Sequence, residues 1–224
     1  MRLLNRTFPD PNSVLGLDRI QQFLSENAAN AARQFYVLVA ETADGSRLIG
    51  ASIFSYVVRS NCGFSEYLVV DASLRQQGLG RALFDARKAQ LDADAEARGV
   101  HGCHGVFIEV DSPWRTPSEL LETGSIDPLE RLRVFRHLGF RRVALAYVQP
   151  PLAADKLAVE HMDLLFAPWR RDPSWETFPS EWLFGTLETI WSAWTPDQFG
   201  PYLADLRNQV TSSRVSLVDP LESD

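Results

Sequence analysis

Three apolar runs separated by short polar turns dominate the chain before residue 71. The runs cover residues 34–41, 47–59 and 64–70, and they are rich in the β-branched and aromatic residues that favour strands. Their connections contain Ala43-Asp44-Gly45 and Asn61-Cys62-Gly63, and both sequences are typical of tight turns. We therefore expect three consecutive antiparallel strands. This order excludes a doubly wound nucleotide-binding fold, in which crossover helices separate parallel strands.

The third run leads through a glycine-containing loop directly into a helix. Residues 78–98 repeat apolar side chains every three to four positions, which predicts a helix with one buried face. Gly78 and Gly80 leave room at the helix start, where backbone N–H groups lack intrahelical partners and the helix dipole is positive. Arg75 and Arg81 flank the loop with positive charge. The pattern predicts a phosphate site, although Arg-x-x-Gly-x-Gly alone is equally typical of an ordinary strand-to-helix turn.

The remaining elements follow from the same two periodicities. Further strands are expected over residues 2–8, 104–110, 141–148 and 159–167. Further helices are expected from Asn12 or Ser13, over 28–33, after Asp127-Pro128, and over 179–194 and 196–210. Residues 111–125 are predicted to be a long loop, either a lid or a solvated excursion, in which Trp114 and Arg115 stand out, and residues 214–224 are expected to fray. These elements predict a domain over 1–170 and a helical, tryptophan-rich extension over 171–224.

Composition and charge narrow the function classes. The chain has 224 residues, a net charge of −7 and a pI of about 5.2. An acidic protein repels nucleic-acid phosphates, so a nucleic-acid partner is disfavoured and a cationic amine fits better. From Arg171 onward nine acidic residues stand against three basic ones, so the extension carries −6 of the charge. Such a surface is usually solubilising, and the alternative is that it steers an amine or contacts a partner.

The cysteines and the apolar runs bear on location. Cys62 and Cys103 are the only cysteines and neither belongs to a Cys-x-x-Cys pair, so we expect no disulfide framework and no zinc site. No run of about 18 apolar residues occurs, and the first residues lack the apolar segment of a signal peptide. We therefore expect a cytoplasmic protein with no metal and no membrane partner.

Two segments resemble signatures of the GNAT N-acetyltransferase superfamily. The first, Leu68-Val69-Val70 through Arg75-Gln76-Gln77-Gly78-Leu79-Gly80, is similar position by position to the acyl-CoA-binding segment. The second, Val134 to Phe140, resembles Tyr-x-x-x-Gly-Phe with Phe135 in the tyrosine position. The resemblance implies an α/β (α+β) fold with a mixed, mostly antiparallel sheet flanked by helices, to which this chain adds a C-terminal helical extension. It also implies that strands 67–70 and 104–110 lie side by side, run parallel and splay apart to admit the pantetheine arm.

The same resemblance implies acetyl-CoA as co-substrate and names the residues that bind it. Unpaired strand N–H groups near Leu68 to Val70 would polarise the thioester carbonyl, and the glycine loop would hold the diphosphate. The residues implied in acetyl-CoA binding are Leu68, Val69, Val70, Arg75, Gln76, Gln77, Gly78, Leu79, Gly80, Arg81 and Phe135.

Acetyl transfer to a protonated amine needs a base, and Glu66 is our candidate. Strand alternation would put Glu66 on the same face as Leu68 and Val70, where partial burial would raise the pKa of its carboxyl. The competing interpretation is a surface glutamate paired with an arginine. Phe135 has no proton to give to the departing thiolate, so Tyr147 is the candidate acid, although a buried structural tyrosine fits its position as well.

Other groups are weaker candidates. Tyr56 and Tyr67 are further choices for the acid, and CoA thiolate leaves readily enough that no acid is required. His161 could face the acceptor pocket or simply be a core or surface histidine.

The sequence thus predicts an N-acetyltransferase that moves an acetyl group from acetyl-CoA to a primary amine directly in a ternary complex. A non-catalytic acyl-CoA-binding or regulatory module is the alternative from another class, because Phe135 replaces the usual tyrosine. The acceptor is either a small molecule or a peptide amine. The apolar residues of the C-terminal helices leave a homodimer open.

Overall fold

The computed structural model describes residues 1–8, 10–27, 30–123, 126–169 and 176–222. The strands are β1 (Arg33–Glu41), β2 (Leu48–Val57), β3 (Cys62–Val70), β4 (Gly105–Asp111), β5 (Arg141–Val143), β6 (Met162–Pro168), β7 (Thr177–Pro179) and β8 (Arg214–Val218). The helices are α1 (Arg2–Thr7), α2 (Leu17–Glu26), α3 (Leu79–Glu96), α4 (Ser118–Thr123), α5 (Pro128–His137), α6 (Ser180–Trp194) and α7 (Gly200–Gln209).

The eight strands form one sheet in the order β1-β2-β3-β4-β6-β5-β8-β7. β3 and β4 pair in parallel, and the other neighbouring strands pair antiparallel. The predicted mixed, mostly antiparallel sheet with β1 to β3 as consecutive antiparallel strands is therefore confirmed. The expected neighbourhood of β3 and β4 is confirmed as well.

Alternating side chains cover the two sides of the sheet with separate apolar clusters. One cluster joins the sheet to α1, α2 and α6, and we call this side the α6 face. The other joins it to α3 and α5, and we call this side the α3 face. In β4, for example, Phe107 belongs to the α6 face while Val106 and Ile108 belong to the α3 face, as the pleat of a strand requires.

β3 contains a bulge at Glu66, and its pairing with β4 ends at the preceding residue. Across β2, Tyr67 pairs with Ile53 and Ser65 pairs with Phe54, so Glu66 has no opposite residue. The parallel pairing of β3 with β4 ends at Ser65 and Ile108. We call this last pair the vertex, because β3 continues to Val70 beyond it without pairing to β4.

Two expectations for the first 33 residues were wrong. Residues 2–7 form a helix instead of a strand, because Leu4 and Phe8 lie one turn apart and both pack on the α6-face core. The helix expected over 28–33 does not extend over the part that the structure describes. There the Asn30 side chain accepts hydrogen bonds from Ala32 N and Arg33 N, both at 3.0 Å, and Arg33 begins β1. Residues 28 and 29 lie outside the described residues.

The C-terminal part also departs from expectation, because residues 214–218 are a strand and not a frayed end. β8 pairs with β5 on one side and β7 on the other, and buries Val215 and Leu217. The predicted helical extension is present as α6 and α7, and it also supplies these two strands. The domain boundary at residue 170 stays a prediction, since residues 170–175 lie outside the described part. Strands from both sides of it share one sheet.

Three other segments differ in extent. Residues 118–123, expected as loop, form α4. The strand expected over 141–148 is limited to Arg141–Val143, and the strand expected over 159–167 begins at Met162. Proline residues 150 and 151 and the turns after them replace regular pairing with one isolated bridge between Gln149 and Val159.

Candidate active site

The loop before α3 has the geometry of an anion site. α3 starts at Leu79 after Gly78, whose φ of 80° is left-handed and whose missing side chain leaves the helix start without a side-chain cap. A Cβ added at Gly78 would meet nothing within 4 Å, and one at Gly80 would meet only Val70 Cγ2 at 3.8 Å. Backbone N–H groups of the first helical turn can therefore be reached by a bulky phosphate.

The predicted loop side chains surround this opening. Gln76 and Gln77 are exposed, Gln76 with a left-handed φ of 64°, and Arg75 is partly buried. Arg81 is exposed and its guanidinium already pairs with Asp85 at 2.9 Å, one turn along α3. The loop thus offers cationic and amide side chains together with open backbone, and these groups fit a diphosphate.

The predicted strand residues border the gap between β3 and β4. Leu68 packs on the α3 face and Val69 on the α6 face, and both lie beyond the vertex, where pairing with β4 has ended. Main-chain groups of β3 on this edge are therefore free of a β4 ladder. The gap runs from the phosphate loop down to the vertex, so an extended arm can lie along it.

Glu66 stands at the vertex on the α6 face, and the expectation that it shares a face with Leu68 and Val70 was wrong. The bulge breaks the alternation and turns its side chain toward Ser55, whose Oγ donates to Oε1 at 2.7 Å. Oε2 is buried and has no hydrogen-bond partner within the described residues. Burial raises the pKa of Glu66 to about 7, against smaller lowering effects from the Ser55 bond and the charge of Arg33.

A second carboxylate, the partly buried Glu109 of β4, lies on the same face and was missed by the sequence analysis. Its Oε1 accepts a hydrogen bond from the Tyr147 hydroxyl, and its Oε2 accepts one from Gln149 Nε2 at 2.6 Å. Burial, with the charge of Glu66 adding to it, raises the pKa of Glu109 to about 7, although both hydrogen bonds lower it. The available signal was an acidic residue inside the apolar run VFIEV, where a charged group is costly unless it is paired.

The hydroxyl and the ring of Tyr147 are both engaged in contacts within the fold. It is 1% exposed, its hydroxyl donates to Glu109, and its ring centroid lies 6.0 Å from that of Trp191 in α6. Burial and the neighbouring carboxylate raise the pKa of Tyr147 well above its usual range, so the hydroxyl keeps its proton. The C-terminal helix α6 therefore forms part of the wall around the carboxylates.

The other tyrosine candidates hold the fold together. The Tyr67 hydroxyl donates to Ser13 O at 3.0 Å and accepts from Leu15 N at 2.8 Å, which fastens the chain before α2 to the sheet. Tyr56 donates to Asn61 Oδ1 at 2.7 Å on the other side of the sheet. Burial raises the pKa of Tyr67, and the charges of Glu109 and Glu66, on the same face, add to this rise. Tyr56 lies on the opposite face from the carboxylate pair.

Phe135 is buried on the α3 face. It is 7% exposed and its ring centroid lies 5.2 Å from that of Phe140 in an edge contact. Its side chain brings no polar group to the gap.

A small cleft of about 20 Å³ is lined by residues of the first thirteen positions, of 111–121 and of 126–131 at the start of α5. Phe8 contacts both this cleft and the Tyr67 ring, whose centroid is 5.3 Å away. Arg131 pairs with Asp111 at the cleft, and His161 Nε2 lies 3.6 Å from the other oxygen of Asp111. His161 thus lies by the cleft and not beside the carboxylate pair.

The two residues singled out in the 111–125 segment differ in role. Arg115 donates to Met162 O and to Asp163 Oδ1, the latter at 2.7 Å, and so ties the segment to β6. Trp114 is 45% exposed.

Sequence comparison matches residues 1–121 to the Acetyltransferase (GNAT) family. The chain belongs to this family. Membership supports acyl-CoA-dependent N-acetyl transfer as the general activity, and it confirms the resemblance read from the phosphate-loop segment. Phe135 lies beyond the matched residues, so the family match does not cover the second signature at residues 134–140, and its likeness to Tyr-x-x-x-Gly-Phe is the evidence for it.

Solved structures agree with the GNAT fold. A protein from Bacteroides thetaiotaomicron assigned to the GNAT acetyltransferases is 19% identical, with a TM-score of 0.51 over 86% of this chain and 89% of that one. Ard1 from Thermoplasma volcanium is 18% identical (TM-score 0.48, 76% and 88% covered), and the ribosomal-protein-S18-alanine N-acetyltransferase from Escherichia coli is 16% identical (TM-score 0.45, 76% and 86% covered). At 19% identity, the likeness to the Bacteroides thetaiotaomicron protein shows the fold alone. Comparison with curated proteins finds no match.

Two searches of the described residues were negative. No group of three or more His, Cys, Asp or Glu side chains there could hold a metal ion. No helix of the described part is both long and apolar enough to cross a membrane.

Proposed function

We propose that this protein transfers an acetyl group from acetyl-CoA to a small cationic primary amine, directly within a ternary complex. The observation that carries the proposal is the position of Glu66, a carboxyl with a raised pKa at the vertex of a strand gap that leads from an open helix N-terminus. Leu68 to Val70 border that gap and Arg75 to Arg81 form its loop; together with Phe135, which the GNAT resemblance adds, they would hold the co-substrate. Bound acetyl-CoA supplies a thioester, an acyl donor with a good leaving group.

Glu66 takes the proton of the attacking amine. A carboxyl with a pKa of about 7 is roughly half ionised at neutral pH, which suits a general base at that pH. Ser55 holds Oε1, so the side chain is oriented and Oε2 is left for the amine. Main-chain N–H groups of Leu68 to Val70 stabilise negative charge on the acyl oxygen.

The unpaired acceptor oxygens around Glu66 favour a substrate that brings hydrogen-bond donors. Glu66 Oε2 and Gln149 Oε1 are buried acceptors without a donor among the described residues, and Glu109 adds a second carboxylate to the same face. An ammonium group brings the donors that these oxygens lack.

Tyr147 remains a predicted catalytic residue, and its contacts favour a positioning role. Its hydroxyl is committed to Glu109, and its raised pKa makes proton release unfavourable. In this role Tyr147 fixes Glu109 on the acceptor side.

The test has two stages. Isothermal titration with CoA checks the co-substrate site, and thiol release with a panel of mono- and diamines, corrected for hydrolysis, checks transfer. The kcat/KM for the best amine should rise with pH through about 7, because only ionised Glu66 accepts a proton. Binding of CoA without thiol release from any amine or lysine peptide would support the non-catalytic module instead, and turnover of the peptides alone would redirect the proposal to proteins.

A further inference from the structure

Arg87 of α3 is a buried cation, and no carboxylate of the described residues forms an ion pair with it. Its exposure is 0%, and its Nη1 donates to the Ser65 hydroxyl. Nε and Nη2 have no hydrogen-bond partner in the described part of the chain. Burial lowers the pKa of Arg87 to about 9, which still leaves the guanidinium charged at neutral pH, and the charge of Glu66 opposes that lowering.

Such a group is costly to the folded state. A buried charge normally has an ion pair and a full set of hydrogen bonds, and one serine hydroxyl offers neither an opposite charge nor a partner for the other nitrogens. The aromatic ring of Phe84, 5.1 Å from the guanidinium carbon, offers a weak cation–π contact only. The unused donors therefore point to an anion that is present only at some stage of function.

The place of Arg87 suggests which anion this is. Its anchor Ser65 is the last β3 residue paired with β4, and Glu66 is the next residue. Ser65 pairs with Phe54 of the α3-face cluster, whereas Glu66 turns to Ser55 on the α6 face. The vertex of the gap thus has a base on one face and a cation on the other.

Two aromatic rings connect Arg87 to Phe135, the position where the GNAT resemblance expects a tyrosine. Phe84, which lies against Arg87, has its ring centroid 5.9 Å from that of Phe140, and Phe135 contacts Phe140 from the other side at 5.2 Å. Arg87 and Phe135 are therefore on the same face, and of these two side chains Arg87 is the one with polar hydrogens.

We infer that Arg87 stabilises the CoA thiolate that leaves during transfer, in place of a proton-donating tyrosine. This rests on the proposed function. The bound ammonium first releases one proton to solvent water; the neutral amine nitrogen then forms the new C–N bond while the C–S bond breaks, its second proton goes to Glu66, and the electron pair stays on sulfur. In this arrangement the free N–H groups of Arg87 lie toward that sulfur. The guanidinium stabilises the negative charge of the thiolate from the α3 face, while Glu66 accepts the proton on the α6 face.

The test measures the thiol of bound CoA and needs no turnover. In the binary complex, the ultraviolet absorbance of the thiolate gives the pKa of the thiol, which should be lower than that of free CoA. Arg87→Gln should raise that pKa by about one unit or more, the usual effect of removing a nearby opposite charge. S-methyl-CoA, which has no ionisable thiol, should bind both forms equally, because a structural defect in the gap would weaken it too.

A second variant covers the case in which Arg87→Gln fails to fold. Ser65→Asp keeps the guanidinium and gives it a carboxylate partner, so it should raise the pKa of the bound thiol in the same direction. An unchanged thiol pKa in folded variants that bind CoA would overturn the role of Arg87 and leave the proposed acetyl transfer standing. Failure of the wild-type protein to bind CoA would overturn both.

Discussion

Replacing Glu66 with glutamine should stabilise the protein at alkaline pH while removing its proposed base. The pKa of this carboxyl rises from an ordinary value of 4.5 to about 7 on folding. Between those values the folded protein holds a proton that the unfolded chain has lost, so the free energy of unfolding falls as pH rises. Each unit is worth about 1.4 kcal/mol, which makes the penalty about 3 kcal/mol once the pH exceeds 7.

Glutamine does not titrate, and its amide oxygen can still accept the hydrogen bond from Ser55. The difference in unfolding free energy between Glu66→Gln and wild type should therefore be below about 1 kcal/mol at pH 5 and grow by about 2.5 kcal/mol at pH 8. For a chain of this length that corresponds to a rise in Tm of about 5 °C or more.

Thermal unfolding followed by circular dichroism at pH 5 and pH 8 measures this difference. Glu41→Gln, at an exposed strand end, is the matched control and should show no such dependence on pH. Thiol release by Glu66→Gln should fall at least a hundredfold with little change in CoA affinity, within the usual range for general-base catalysis. A stability difference that is equal at both pH values would refute the assignment of a desolvated carboxyl, and an unaltered rate would remove Glu66 from its role.

Two further predictions concern the loop and the C-terminus. Asp and Asn both tolerate the left-handed φ of Gly78, so Gly78→Asp and Gly78→Asn differ mainly in charge. Isothermal titration should show that Gly78→Asp weakens CoA binding at least tenfold more than Gly78→Asn does. Equal affinities would argue against an anion site in this loop. A chain ending at residue 211 loses β8 with the buried Val215 and Leu217, which should lower the urea-derived unfolding free energy by about 4 kcal/mol, whereas ending at residue 218 should cost far less. Similar losses from both truncations would mean that the contacts of β8 contribute little.

Features that depend on neighbouring residues could be predicted from the sequence. The strand-loop-helix unit around Gly78 and the first three antiparallel strands follow from backbone freedom, turn residues and apolar periodicity, all of which act within a few positions. The GNAT family could be read from that unit because its chemistry belongs to a continuous stretch of backbone.

Tertiary structure alone decided how the candidate site is assembled. The face that Glu66 takes depends on a bulge, and a bulge is defined only when β2 pairs with β3. Glu109 meets Tyr147 and Gln149 across 38 and 40 residues, and Arg87 meets Ser65 across 22. Pairing register and burial between distant segments set these contacts, and no local pattern contains them, because the free energy of a buried charge depends on whatever the fold brings beside it.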